Sequence, residues 1–175
     1  KIFTLTVVYI VTGEKNMNTY DYNISDIVNK YSRHVAMLSY TYTKNIADAE
    51  DIAQDVFLQL IKSNKEFENE EHLRAWLFRI AINKSKNLLK SFWISHRSDF
   101  PIENTSIHEK DYDLILSVLE LEPKYRIPIH LFYYEGYSIK EISAILHEKE
   151  ATIGTRLDRA RKKLKDKLGS DYYGS

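Results

Sequence analysis

The sequence predicts an all-helical chain of two small domains joined by a linker, the second domain containing a helix-turn-helix. Three observations carry this prediction: hydrophobic residues recur every 3.6 residues over long segments, the chain has only five glycines and three prolines, and one stretch, 92–109, has no period. The first domain is expected at 17–91 and the second at 110–169. A short tail at 170–175 completes the chain.

Charge is balanced overall but unevenly distributed. The chain carries 25 basic and 25 acidic residues, yet residues 73–97 hold six Lys or Arg and no acid, and residues 45–61 hold four acids and no base. Separate basic and acidic blocks indicate separate surfaces for separate partners. Cysteine is absent, which excludes disulfides and Cys-based zinc sites and fits a reducing cytoplasm.

Residues 1–16 are expected to be a non-native upstream extension, with Met17 as the natural start. Their apolar run is shorter than the about 20 residues that cross a bilayer. The following Gly-Glu-Lys-Asn offers no small-residue cleavage site for a signal peptidase. N-terminal sequencing of the protein from its host tests this hypothesis, because a mature chain that begins before Met17 would contradict it.

Three helices are predicted in the first domain, at 24–42, 47–62 and 70–90. The second has acids in its first turns, where the helix dipole favours them. The third turns an apolar face inward and is ringed by basic residues. In the second domain a helix is predicted at 111–121, and Pro123 is a good first residue for the next one. Pro128 predicts a restart or kink before 129–134, because an interior proline costs about 3 kcal/mol.

The helix-turn-helix is predicted over 137–168. Ser138 and Glu141 have the spacing of a capping box, and Tyr137 and Ile142 that of a hydrophobic staple. After a short turn, apolar residues recur at helical spacing up to Leu168, and basic residues cover the other faces. Two helices with a basic second member are typical of this DNA-binding motif. A solvated amphipathic helix with a charged face is the alternative interpretation.

The chain resembles a bacterial RNA polymerase sigma factor of the extracytoplasmic-function group. Four segments carry the resemblance in order: DAEDIAQDVFLQL (48–60), LRAWLFRIAINKSKNLLK (73–90), LEPKYRIPIHLFYYEGYSIKEISAIL (121–146) and TIGTRLDRARKKL (152–164). It implies a protein that binds core RNA polymerase, directs it to promoter DNA and helps melt that DNA. It also implies a cytoplasmic location and an anti-sigma factor as inhibitor, with no cofactor, small-molecule substrate or membrane insertion.

Two other classes of protein are weighed against this one. A DNA-binding regulator with a helical interaction domain would explain the helix-turn-helix, but it has no reason to carry the motifs at 47–62 and 73–90. An interaction module that has lost DNA binding is the third possibility. An enzyme is not expected, because the six histidines lack metal-ligand spacing and no glycine-rich phosphate loop is present.

The resemblance implies three sites. The second helix would dock on the clamp helices of the polymerase's largest subunit, through a motif with Ala49 and Phe57 whose polar members are Glu50, Asp51, Gln54 and Asp55. The third helix would open promoter DNA and bind the proximal element through Arg74, Trp76, Arg79, Asn83, Lys84, Lys86 and Lys90. The helix-turn-helix would bind the distal element through Thr152, Thr155, Arg156, Arg159 and Lys163.

Each of these three sets of residues also has an explanation in which the residues serve the fold and not a binding partner. Acids on the second helix can simply solubilise it, Asn83 can be a packing or capping residue, and Trp76 is more typical of a core. The turn at 147–149 lacks the glycine that is usual in this family, so no glycine can take a left-handed conformation there. Gly154 costs the helix about 1 kcal/mol, and Asp158 adds a negative charge. These departures predict weaker or differently specified distal binding, with more of it left to residues 73–97.

Overall fold

The computed structural model describes residues 24–63, 65–95 and 109–168, with the backbone alone at 91–95 and 109–113. Every regular element in this part of the chain is helical, which confirms the predicted fold class. The helices fall into two compact units, one on each side of residue 100. The predicted upstream extension, the tail at 170–175 and most of the predicted linker lie outside the described residues.

The first unit consists of three helices: α1 (Ile24–Thr43), α2 (Ile46–Lys62) and α3 (Glu70–Ser95). Each of them packs against the other two. Their shared core is made of side chains that are almost fully buried: Val28, Val35, Leu38, Ala53, Val56, Phe57, Leu73, Leu77, Phe78 and Ala81. The apolar faces predicted from the 3.6-residue period are therefore the faces that meet in this core.

A two-residue connection joins α1 to α2. Lys44 takes a left-handed conformation with φ of 56°, and its N–H donates to the Tyr40 carbonyl over 2.8 Å. Asn45 then caps α2, because its side-chain oxygen accepts from the Asp48 N–H at 3.0 Å. The tight connection keeps α2 next to α1, against which it packs.

Helix α3 extends further than the sequence predicts. It continues to Ser95, so the boundary predicted at Lys90 is wrong. The physical reason is that residues 91–95 contain neither glycine nor proline, and the residues present cost a helix well under 1 kcal/mol each. The amphipathic period is lost in this stretch, but such a period reports the apolar face of a helix and not its backbone.

The second unit contains α4 (Glu109–Glu120), α5 (Pro123–Ile129), a π-helical turn (His130–Tyr134), α6 (Ile139–Leu146) and α7 (Glu150–Leu168). Helix α7 packs against α4, α5 and α6. The core that results is almost fully buried and consists of Ile127, Leu131, Ile142, Ile153, Leu157 and Ala160. Helix α7 therefore has one apolar face that organises the whole unit.

Proline changes the winding of this unit rather than interrupting it. Pro123 is the first residue of α5, as predicted. A restart or kink was expected at Pro128, and the helix does not restart there. Instead α5 continues to Ile129 and the next turn is π-helical, with the Glu135 N–H donating to the His130 carbonyl over 3.1 Å. Pro128 has no N–H to donate to the carbonyl four residues earlier, and the wider turn follows directly after this gap in the ladder.

Candidate nucleic-acid interface

A stripe of polar side chains runs along α3. Arg79, Asn83, Lys86 and Lys90 recur at intervals of three or four residues, so they lie on one face of the helix. Asn83, Lys86 and Lys90 are exposed, and Arg79 is half-buried. This α3 stripe presents two exposed cations, one half-buried arginine and one exposed amide, which suits a nucleic-acid strand with its phosphates and base edges.

Of the other three residues predicted for the proximal element, Arg74 and Lys84 lie off this face, and Trp76, three residues before Arg79, is buried. The Arg74 guanidinium is 5.4 Å from the centroid of the Phe78 ring. Trp76 is 9% exposed, and its ring meets Phe67 edge to face at 5.5 Å, so it packs as the alternative interpretation expects. Lys84 Nζ is 3.0 Å from Asp55 Oδ2. The seven residues therefore do not form one surface.

Helix α2 presents its acids outward. Glu50, Asp51 and Asp55 are exposed and Gln54 is half-buried, whereas Ala49 and Phe57 of the same motif are buried. Phe57 is completely buried in the core, which holds this face of α2 in a fixed orientation. The arrangement gives a rigid acidic surface of the kind that a basic partner recognises.

An open groove of about 670 Å³ lies between α2 and α3. Its lining brings residues predicted for different partners together: Asp48, Asp51, Ile52, Gln54, Asp55, Lys84, Asn87 and Leu88. Burial, with a smaller contribution from the charge of Asp51, raises the pKa of Asp48 above its ordinary value. The pair formed by Asp55 and Lys84 bridges the two helices across this groove.

The predicted capping box opens the helix-turn-helix. The Glu141 N–H donates to Ser138 Oγ at 3.3 Å, and the Ser138 N–H donates to Glu141 Oε2 at 2.8 Å. Tyr137 and Ile142, predicted as the staple, are both buried. The start of α6 is thus fixed by the interactions that the sequence predicts.

The turn between α6 and α7 is well formed without glycine. His147 takes the left-handed conformation, with φ of 54° and ψ of 46°, and histidine is one of the residue types enriched there. The N–H groups of His147 and Glu148 both donate to the Ser143 carbonyl, and Ser143 Oγ donates back to the Glu148 carbonyl. The missing glycine therefore leaves no gap in the hydrogen bonding of this turn.

Helix α7 presents the predicted distal residues away from its apolar face. Thr155, Arg159 and Lys163 are exposed, and Thr152 and Arg156 are half-buried. Thr155 Oγ1 donates to the Ala151 carbonyl over 2.8 Å. The Lys163 ammonium lies 5.6 Å from the centroid of the Tyr125 ring on α5. The five side chains thus share a face but differ in how free they are to move.

Two charges of α7 are engaged within the protein. Arg156 Nη1 donates to Glu148 Oε1 over 2.7 Å, and its Nη2 lies 2.6 Å from Glu148 Oε2. Asp158 Oδ1 lies 2.7 Å from Nη1 of Arg161, whose Nε donates to the Tyr133 hydroxyl. The negative charge of Asp158 is therefore balanced locally, which weakens the argument that it repels DNA.

Sequence reasoning missed Glu148 as the partner of Arg156. The two residues are eight positions apart, Glu148 in the turn and Arg156 in α7, so no helical spacing reveals the pair. It also missed the buried Arg126, whose Nη1 donates to the carbonyls of Leu119 and Leu121 at 2.9 Å each. An arginine inside the apolar run 125–131 is the signal that could have revealed it.

Two families of known domains match the chain. Sigma-70 region 2 matches residues 27–93, and Sigma-70 region 4 matches residues 113–164. Among the described helices, none is both long enough and apolar enough to cross a lipid bilayer. Within the part of the chain that the structure describes, no three His, Asp or Glu side chains lie close enough together to bind a metal ion.

Curated and solved relatives agree with these matches. The chain is 32% identical over 136 residues to the RNA polymerase sigma factor SigV of Bacillus subtilis, covering 75% of this chain and 82% of SigV. It is 27% identical over 164 residues to the ECF RNA polymerase sigma factor SigW of the same organism, covering 82% and 88%. The co-crystal structure of the sigma factor RpoE with the anti-sigma factor NepR from Bartonella quintana gives a TM-score of 0.68 at 26% identity, covering 83% of this chain and 96% of that one.

Proposed function

The chain belongs to the extracytoplasmic-function group of bacterial RNA polymerase sigma factors, and we propose that three of its surfaces divide the work of starting transcription. A factor of this kind binds core RNA polymerase, directs it to promoters and takes part in opening the DNA. A helix-turn-helix regulator has no use for a region 2 unit, so the match at 27–93 favours the sigma factor over that alternative.

The acidic face of α2 is the surface we assign to core polymerase. Glu50, Asp51 and Asp55 project from a helix whose opposite face is locked in the core, and Gln54 lies beside them. Because the helix that carries these side chains is already fixed, little backbone freedom is lost on binding. Opposite charges on the polymerase would steer the encounter and set the orientation of the complex.

The α3 stripe is the surface we assign to the opened promoter strand, and it is the observation that carries the proposal. Arg79, Lys86 and Lys90 can contact successive phosphates, and Asn83 lies between them with an amide that can pair with a base edge. A surface that binds single strands better than duplex shifts the equilibrium toward melted DNA. The mechanism is therefore differential binding and involves no bond-making chemistry.

Helix α7 is the surface we assign to the distal promoter element. Thr152, Thr155 and Arg159 lie on the face of α7 opposite the apolar face that packs into the unit. An α-helix fits the major groove, where threonine and arginine can contact base edges or phosphates. This contact would anchor the factor on duplex DNA while α3 holds the melted strand.

An anti-sigma factor is the inhibitor we propose, as in the Bartonella quintana complex, where the sigma factor is bound by NepR. We also propose that the protein acts in the cytoplasm and is not itself an enzyme. The acidic face of α2 and the α3 stripe are two exposed charged surfaces that an inhibitor could cover. Competition between the inhibitor and core polymerase for the free factor tests this part of the proposal.

Reconstitution with core polymerase tests the proposed function. We expect the purified chain to form a complex with core polymerase and to support transcription from host promoters. Asp51→Asn should weaken this complex, whereas Glu71→Gln, which removes the same charge from an exposed position on α3, should leave it unchanged. Asn83→Ala should leave the complex intact and reduce open-promoter formation. The absence of any complex with core polymerase would refute the proposal.

A further inference from the structure

Arg156 is held by a carboxylate within the protein itself. Both terminal nitrogens of its guanidinium face Glu148, at 2.7 Å from Oε1 and 2.6 Å from Oε2, so the pair is bidentate and end-on. The two side chains are only 24% and 29% exposed. Arg159, three residues further along α7, is exposed. Arg156 is therefore paired and partly buried before it contacts DNA, whereas Arg159 is exposed to solvent.

The carboxylate comes from a fixed part of the chain. Glu148 follows the left-handed His147, and both backbone groups of Glu148 bond to Ser143. The Arg156 side chain is thus ordered before binding. Its conformational entropy is already lost in the free protein, so ordering this side chain adds little to the free-energy cost of binding DNA. This is the arrangement of a preorganised side chain rather than of a mobile surface cation.

We propose that Glu148 is a positioning residue that makes Arg156 read a base instead of binding a phosphate. The inference rests on the proposed contact of α7 with the distal promoter element. The pair with Glu148 has no net charge, so a phosphate gains little from Arg156 and is brought close to a carboxylate. A neutral acceptor suffers no such repulsion.

The chemistry of the guanidinium identifies the base. Arginine has five N–H donors, and an end-on carboxylate occupies two of them, which leaves the Nε edge with a neighbouring Nη donor. Guanine presents two neutral acceptors, O6 and N7, at the spacing that such a donor pair matches in the major groove. Arg156 is therefore assigned to one G·C pair of the distal element, whereas Arg159 remains available for phosphate.

The test uses holoenzyme reconstituted from core polymerase and the full chain, bound to duplex DNA randomised over the distal element. Glu148→Gln should flatten the preference for guanine at one position, on the order of tenfold. It should also steepen the dependence of log K on log salt by about 0.9, because the released charge of Arg156 can now neutralise a phosphate. Glu150→Gln removes the same charge from the first turn of α7 and should keep the preference.

A second variant keeps the test decisive if Glu148→Gln alters folding. Arg156→Gln should abolish the same guanine preference and leave the preferences at the other positions of the element unchanged. The proposal is wrong if Arg156→Gln weakens all sequences alike, as loss of a phosphate contact would, or if Glu148→Gln behaves as Glu150→Gln does. Wild-type holoenzyme that forms but shows no distal preference would instead refute the proposed function of α7.

Discussion

Several helix ends in this protein are fixed by one or two residues. Asn45 caps α2, and Ser138 with Glu141 caps α6. Lys44 and His147 turn the chain in left-handed conformations that glycine more often supplies. The first turn of a helix leaves backbone donors unpaired, so each cap replaces a hydrogen bond that water would otherwise have to make.

Two glycines in the described part of the second unit should respond in opposite ways to a methyl group. Gly154 lies within α7, and a Cβ there would meet no atom within 4 Å, so Gly154→Ala should raise the free energy of unfolding by up to about 1 kcal/mol. Gly136 has φ of 74°, so Gly136→Ala should lower it. Urea unfolding followed by circular dichroism measures both. Destabilisation by Gly154→Ala would contradict the prediction.

Glu70 should make stability depend on acid pH. A hydrogen bond with Lys30, and a second from the Tyr31 hydroxyl, hold the pKa of Glu70 below its ordinary value of 4.5. Its contribution is therefore complete above that value and is lost as the pH falls through the lowered native pKa. The difference in the free energy of unfolding between wild type and Glu70→Gln should shrink between pH 7 and pH 3. Glu71→Gln is the matched control, and a constant difference would contradict the assignment.

At the scale of elements, a buried arginine ties α4 to α5. Arg126 is 4% exposed, and its Nη1 donates to the carbonyls of Leu119 and Leu121 at the end of α4. Arg126→Met keeps much of the volume but removes these donors, so it should lower the free energy of unfolding by about 1–3 kcal/mol. Lys140→Met, at an exposed position of α6, is the control. Equal stability of the two variants in urea would show that the carbonyls find other donors.

The helices could be predicted from the sequence because their signals are local. The capping box of Ser138 and the apolar period of α7 involve residues within one or two turns of each other. The Asp55–Lys84 pair joins two helices and the Glu148–Arg156 pair joins a turn to a helix, so no local pattern contains them. For this reason the sequence could identify Lys84 and Arg156 as candidate DNA contacts but could not show that each is paired with a carboxylate. The end of α3 was missed because no breaker marks it.

At the scale of the whole molecule, a net charge of zero conceals surfaces of opposite sign. The acids of α2 and the cations of the α3 stripe occupy exposed faces of the same unit. Electrostatic steering depends on such local fields and not on the sum of charges. A balanced chain can therefore bind nucleic acid through one face and a basic protein surface through another.

Salt dependence should distinguish the two DNA-binding surfaces. Lys86→Gln should reduce the slope of log K against log salt by about 0.7 on a template with an unpaired proximal strand, because a single-strand phosphate contact is lost. Arg159→Gln should reduce it by about 0.9 on duplex carrying only the distal element. Lys62→Gln, at the exposed end of α2, is the control for both templates. Slopes that fall equally on both templates for either variant would contradict the division of roles.

The π-helical turn at His130–Tyr134 holds more residues than an α-helical turn of the same rise. Deleting a single residue from it would allow α-helical winding to resume, at about 100° of rotation and 1.5 Å of rise per residue. The residues that follow the turn, including α6 and α7, would then be rotated about the helix axis relative to α5. A one-residue change of length in this turn would therefore change the orientation of α7. Relatives could differ in how α7 contacts DNA in this way, without any substitution in α7 itself.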